Sequence, residues 1–124
     1  MRVLIDTHVL LWWLSEPERL STDVFRVFST GCPVVSSASL WEVSIKVSLG
    51  KLSADVEDVC QAVLKGGFER LCIADADVVA LTQLPPLHRD PFDRMLIVQS
   101  QREGIPLATA DEKIRKYDID TIML

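Results

Sequence analysis

Few residues in this chain are of the kinds that anchor familiar small-molecule and metal chemistries. There are three cysteines, Cys32, Cys60 and Cys72, an odd number and not in finger spacing. This excludes a disulfide framework or a zinc finger, and each reads as a small buried hydrophobe in a reducing cytoplasm. The only two histidines, His8 and His88, are too far apart in sequence to form a helical zinc pair. With five glycines the chain has no phosphate-cradling glycine loop. No apolar run approaches the roughly 20 residues that span a bilayer. Asp6 and His8 interrupt the apolar start, which is unlike a signal peptide. Positive charge is also scarce. A net charge of −5 and a pI near 4.9 argue against a broad basic face for nucleic acid.

What remains is an apolar, evenly patterned chain of 124 residues, 48% hydrophobic with mean hydropathy +0.22. That length suits one domain, 1–124, burying about two-thirds of its unfolded surface. There is no internal repeat, low-complexity tract or flexible linker. Residues 2–6 read as a strand feeding a helix over 7–14, which Ser15-Glu16-Pro17 breaks. A second helix, capped around Ser21-Thr22-Asp23, stops at Gly31, and residues 33–36 form a second strand. Ser37 or Ser39 caps a helix ending near Gly50, and residues 55–65 form another before Gly66-Gly67. A third strand over 69–73 precedes a helix over 75–83 that Pro85-Pro86 ends. Asp90 with Pro91 behind it starts a helix running to about Glu103. A strand over 105–109, a short helix from Asp111 to Tyr117 and a weak strand over 120–123 complete the alternation. Such alternation predicts an α/β fold with a parallel, doubly wound sheet, whose ligands bind beyond the carboxyl ends of the strands.

Four separated acids stand out against that frame. Asp6 closes the first strand and Asp111 follows the fourth. Each serves equally as a helix cap or as a site carboxylate. Asp93 heads a helical stripe continued by Leu96, Ile97 and Ser100, which should face the sheet. A carboxylate there needs a metal or an ion partner such as Arg89 or Arg94. Asp90, with Arg94 four residues on, reads as a cap with a nearby partner. Glu42 shares a stripe with Ser39 and Lys46. If the stripe faces solvent, Glu42–Lys46 is an ordinary i,i+4 pair; if it faces the strand ends, Glu42 joins the acids and Lys46 can meet a phosphate. Gathering carboxylates raises their pKa values unless a cation neutralises them. Divalent-metal phosphodiester chemistry is therefore the leading expectation. Ser36, Ser37 and Thr109 lack a neighbouring base, so a serine nucleophile has no support. His88, beside Arg89, reads as structural or as a phosphate contact, and Trp12, Trp13 and Trp41 as core or interface anchors.

The segments Leu4-Ile5-Asp6-Thr7-His8-Val9-Leu10-Leu11-Trp12, Ser39-Leu40-Trp41-Glu42-Val43, His88-Arg89-Asp90-Pro91-Phe92-Asp93-Arg94-Met95-Leu96 and Leu107-Ala108-Thr109-Ala110-Asp111 carry a family likeness. Together they resemble the PIN-domain family, and within it the VapC-type ribonuclease toxins of bacterial type II toxin–antitoxin systems. The likeness extends over essentially the whole chain. It implies a three-layer α/β/α domain with a parallel sheet of about five strands and an acidic site for Mg²⁺ or Mn²⁺. Carried over by position, Asp6, Glu42, Asp93 and Asp111 match the family's acidic quartet, with Asp6 and Asp93 most firmly tied to metal. Asp90 is an extra acid, Thr109 a hydroxyl beside the last acid, and His8 stands where many relatives have asparagine. The resemblance further implies a cytoplasmic endoribonuclease acting on RNA, a cognate antitoxin placing a basic side chain among the carboxylates, and a homodimer for which exposed Trp12 or Trp13 would suit the interface. Two other classes remain: a receiver-like phosphotransfer domain, which needs an aspartate ending a middle strand and a lysine after a late one, and a catalytically silent binding module.

Overall fold

Val3 and Ile5 point to one side of a central sheet and Leu4 to the other, and all three are fully buried. Alternation of this kind, with no polar face, requires cover on both sides. The computed structural model, which describes residues 1–124, supplies it. Strands β1 (Arg2–Ile5), β2 (Cys32–Ser36), β3 (Glu69–Leu71), β4 (Leu107–Thr109) and β5 (Thr121–Met123) form one sheet, in the order β3-β2-β1-β4-β5 with every pairing parallel. Helices α1 (Thr7–Ser15), α2 (Thr22–Thr30), α3 (Ser37–Ser48), α4 (Val56–Lys65), α5 (Asp75–Leu81) and α6 (Pro91–Glu103) cover it.

Two apolar clusters divide the molecule. Val3, Ile5 and Val35 pack with Val9 and Leu10 of α1, Val24 and Val27 of α2, and Val59 and Val63 of α4. Leu4, Val34 and Leu107 pack with Leu96 and Ile97 of α6, and with Ile114 and Tyr117. This is the expected three-layer α/β/α arrangement with five parallel strands. No helix is long and apolar enough to cross a membrane.

The chain winds outward from β1 through β2 to β3, then returns to lay β4 on the other side of β1. Strand order therefore reverses between β1 and β4, and the crevice lies beyond their carboxyl ends. Asp6 and Asp111 lie just past those ends.

Several boundaries differ from expectation for local reasons. The cap of α3 is Ser36, whose hydroxyl accepts the Ala38 N–H at 3.0 Å, rather than Ser37 or Ser39. Ser39 is inside the helix and accepts a hydrogen bond from Thr7. Strand β4 begins at Leu107 because Pro106 has no N–H, although its carbonyl accepts from Leu4 at 2.9 Å. Strand β3 stops at Leu71, and the Cys72 carbonyl accepts instead from Gln99. The helix after Asp111 is a 3-10 turn, Glu112–Lys116. The cysteines are not deeply buried: Cys32 and Cys60 are half-buried and Cys72, just past the edge strand, is exposed.

Candidate metal centre

Asp6 ends β1 and caps α1, its Oδ1 accepting the His8 N–H at 2.8 Å. Its other oxygen, Oδ2, accepts from the Thr109 hydroxyl at 2.7 Å. Thr109 Oγ1 in turn accepts the Asp111 N–H at 3.0 Å, so one buried hydroxyl joins the acids that follow β1 and β4. Asp111 caps the following turn through the Lys113 N–H. Capping therefore coexists with a carboxylate at the crevice. The ring of His8 lies 3.7 Å from Asp6 Oδ1, and this carboxylate holds the imidazole pKa above its ordinary value despite partial burial.

Asp90 caps α6, its Oδ1 accepting the N–H groups of Phe92 and Asp93. Asp93 opens a stripe whose Leu96, Ile97 and Ser100 are all buried. Its ion partner is neither Arg89 nor Arg94, and Arg94 does not pair with Asp90. The Arg94 guanidinium donates to the carbonyls of Leu81, Leu84, Pro85 and His88, in the proline-broken turn between α5 and α6. Asp93 Oδ2 instead lies 3.1 Å from His88 Nε2. Burial, then the charges of Asp6, Asp90 and Glu42, push the Asp93 carboxyl up to about 7, outweighing His88. Burial also works against the Asp111 charge, but the His88 hydrogen bond, the Lys113 amide and the Lys113 charge hold its pKa below the ordinary carboxylate value.

The stripe carrying Glu42 faces inward: Glu42 is 4% exposed and Ser39 is fully buried. The Glu42–Lys46 pair forms at 2.9 Å, but only the lysine end reaches solvent. Glu42 Oε1 is the one buried side-chain oxygen or nitrogen without a hydrogen-bond partner. A buried carboxylate oxygen left this way is costly unless a cation or donor meets it.

Asp6, Asp93 and Asp111 line one small pocket of about 200 Å³ with His8, Trp12 and Ala110. Glu42 does not line it, but its charge raises both Asp93 and His8. A larger cavity of about 480 Å³, between α2 and β5, holds only Asp23 and Arg26 as charged lining residues and has no converging acids. Hard carboxylate oxygens on three separate elements, one with a strongly raised pKa, and an orphaned oxygen on Glu42 suit a hard divalent cation.

Sequence reasoning undervalued His88. It is buried and its Nε2 lies 2.8 Å from Asp111 Oδ2 as well as near Asp93. The available signal was its place two residues before the capping Asp90. Trp13 is not an exposed anchor; it stacks on Phe28 and packs against Phe68 inside the first cluster. Trp12 is half-buried beside the pocket under the Arg19 guanidinium, and Trp41 is 59% exposed, edge-on to Phe92. Asp75, the aspartate a receiver-like domain would need on a middle strand, follows the edge strand β3.

The PIN-domain family model matches residues 3–120. The chain is 28% identical over 123 residues to Ribonuclease VapC22 of Mycobacterium tuberculosis, covering 93% of this chain and 91% of that protein. Its fold is similar to the crystal structure of VapBC2 from Rickettsia felis bound to a promoter DNA fragment, at TM-score 0.77 and 14% identity over 99% of this chain and 98% of that one. It is also similar to FitAcB from Neisseria gonorrhoeae, at TM-score 0.67 and 17% identity over 97% and 96%. The acids beyond β1 and β4, the strand order and these matches agree: the chain belongs to the PIN-domain family.

Proposed function

We propose that this protein is a Mg²⁺- or Mn²⁺-dependent endoribonuclease of the VapC type, the toxin of a type II toxin–antitoxin pair. The observation that carries the reading is the convergence of Asp6, Asp93 and Asp111 on one pocket at the strand-order switch. The likeness to Ribonuclease VapC22 supports RNA as the substrate.

Asp6, Asp93 and Asp111 would hold the cation, with Glu42 as the fourth acid. A bound divalent cation supplies Lewis-acid stabilisation of phosphate charge and acidifies a water. The remaining work falls to the side chains. Thr109 and the His8 amide fix both oxygens of Asp6, so this carboxylate is oriented before substrate arrives. Glu42, with one unpartnered oxygen, and Asp111 are the candidates to orient the attacking water and take its proton. Lys46 can turn from Glu42 to a phosphate oxygen, and Asp90 acts on the site by capping the helix that carries Asp93. A cognate antitoxin would silence the site by placing a basic side chain among these carboxylates, and the active form would be a cytoplasmic homodimer.

The test is digestion of total cellular RNA with Mn²⁺, with and without EDTA, comparing the wild type with Asp93→Asn. Cleavage by the wild type alone, abolished by EDTA, is expected. Full activity of Asp93→Asn, or cleavage in EDTA, overturns the assignment.

A further inference from the structure

The segment carrying His88 is held from two sides. Its backbone N–H donates to the Tyr117 hydroxyl at 2.8 Å, and that hydroxyl donates to the Pro85 carbonyl at 2.7 Å. From the other side Arg94 holds the carbonyls of Pro85 and His88. On the ring, Nδ1 accepts the backbone N–H of Asp90 at 3.1 Å. An amide N–H can only donate, so Nδ1 keeps its lone pair for this bond and the ring hydrogen resides on Nε2. Nε2 lies 2.8 Å from Asp111 Oδ2 and 3.1 Å from Asp93 Oδ2.

These three groups place ligand atoms within 4.8 Å of one another, a spacing that would also suit a shared cation. The Asp90 amide separates the two possibilities. An Nε2 that bears hydrogen has no lone pair for a metal, and moving the hydrogen to Nδ1 would set two donors against each other at 3.1 Å. On the reading that the pocket holds a divalent cation, we propose that His88 is a positioning residue and not a ligand. Its Nε2–H bridges the Oδ2 atoms of Asp93 and Asp111, drawing together two acids that would otherwise repel. The bridge engages Oδ2 of Asp93, and Asp93 would still have its other oxygen to offer a cation. A metal-site acid held this way has its orientation set by the loop over 85–90 and by Tyr117.

The test reads the imidazole directly. Long-range ¹H–¹⁵N spectra of the wild-type protein are recorded without metal and with saturating Mg²⁺. The expected result is an Nε2-protonated His88 in both states, while the Asp6 and Asp93 amides shift with Mg²⁺. Loss of the Nε2 hydrogen on Mg²⁺ binding, or its absence beforehand, overturns the proposal. Amides that do not respond to Mg²⁺ at all overturn the metal reading, and this role with it, a result distinct from an altered ring. Calorimetry with Mn²⁺ gives a second readout. His88→Gln, which keeps a side-chain N–H donor, retains most of the affinity, whereas His88→Ala loses about 10- to 100-fold. Equal losses in the two variants, or none in His88→Ala, contradict a donor role.

Discussion

The Thr109 hydroxyl donates to Asp6 Oδ2 across 2.7 Å, linking residues 103 positions apart in the chain. Thr109 Oγ1 also accepts the Asp111 N–H, so a single hydroxyl aligns the acids that follow two neighbouring strands. Thr109→Val keeps the shape but removes both bonds. Expected are a loss of roughly 1–3 kcal/mol in stability, from leaving a buried carboxylate oxygen and an amide unpaired, and a marked fall in RNA cleavage. Urea denaturation and cleavage assays check the pair, and a variant with wild-type activity removes Thr109 from the site.

Asp93 should contribute to the pH response of the metal-free protein with a sign of its own. Its folded carboxyl is held at about 7, above the 3.8 of the free group. Between those values the folded state binds more protons than the unfolded one, so this group makes stability fall as pH rises, levelling off above about 7. Asp93→Asn removes the charge. In EDTA its advantage over wild type should grow by roughly 1–3 kcal/mol between pH 5 and pH 8. Denaturation curves at the two pH values decide it, and an advantage that does not grow refutes the origin given for the raised pKa.

On the proposed metal reading, cation binding would displace that proton. The apparent Mn²⁺ affinity should therefore rise about tenfold per pH unit on approaching 7 from below, then flatten. Calorimetry in buffers of different ionisation enthalpy should report about one proton released per cation at pH 6. An affinity independent of pH between 5.5 and 7 contradicts this.

Whether Glu42 reaches the cation can be read through its partner. Lys46→Met strips the buried Glu42 of its only ion pair and should cost about 2 kcal/mol, less than a fully buried pair because Lys46 is partly exposed. Saturating Mg²⁺ should recover much of that loss, seen as a larger Mg²⁺-induced rise in melting temperature than in the wild type. Equal rises in the two proteins would place Glu42 outside the cation's influence.

Much of this was legible in the chain itself. Buried strands such as Val3-Leu4-Ile5 and caps such as Asp90-Pro91 are local signals, so the alternation of elements and the parallel sheet followed from them. The inward stripe below Asp93 was readable from its 3.6-residue spacing. Partnerships between distant side chains were not. Arg94 is adjacent to Asp93, yet its guanidinium is claimed by carbonyls that only the folded proline turn brings within reach. Likewise His88 meets Asp111 across 23 positions, and no periodicity encodes that approach. The direction of the Glu42 stripe was undetermined in sequence because Ser39 suits either face; the buried Thr7–Ser39 bond decides it in the fold.

The return crossing that sets β4 beside β1 also determines when the pocket comes into being. Its three acids lie at positions 6, 93 and 111, on segments that are neighbours only where β4 pairs beside β1 and α6 packs over them. A chain halted before β4 lacks Asp111 altogether, and one whose last third has come loose carries the same carboxylates as separate side chains with no shared pocket. On the proposed reading, competence for metal thus belongs to the assembled fold and to none of its segments alone.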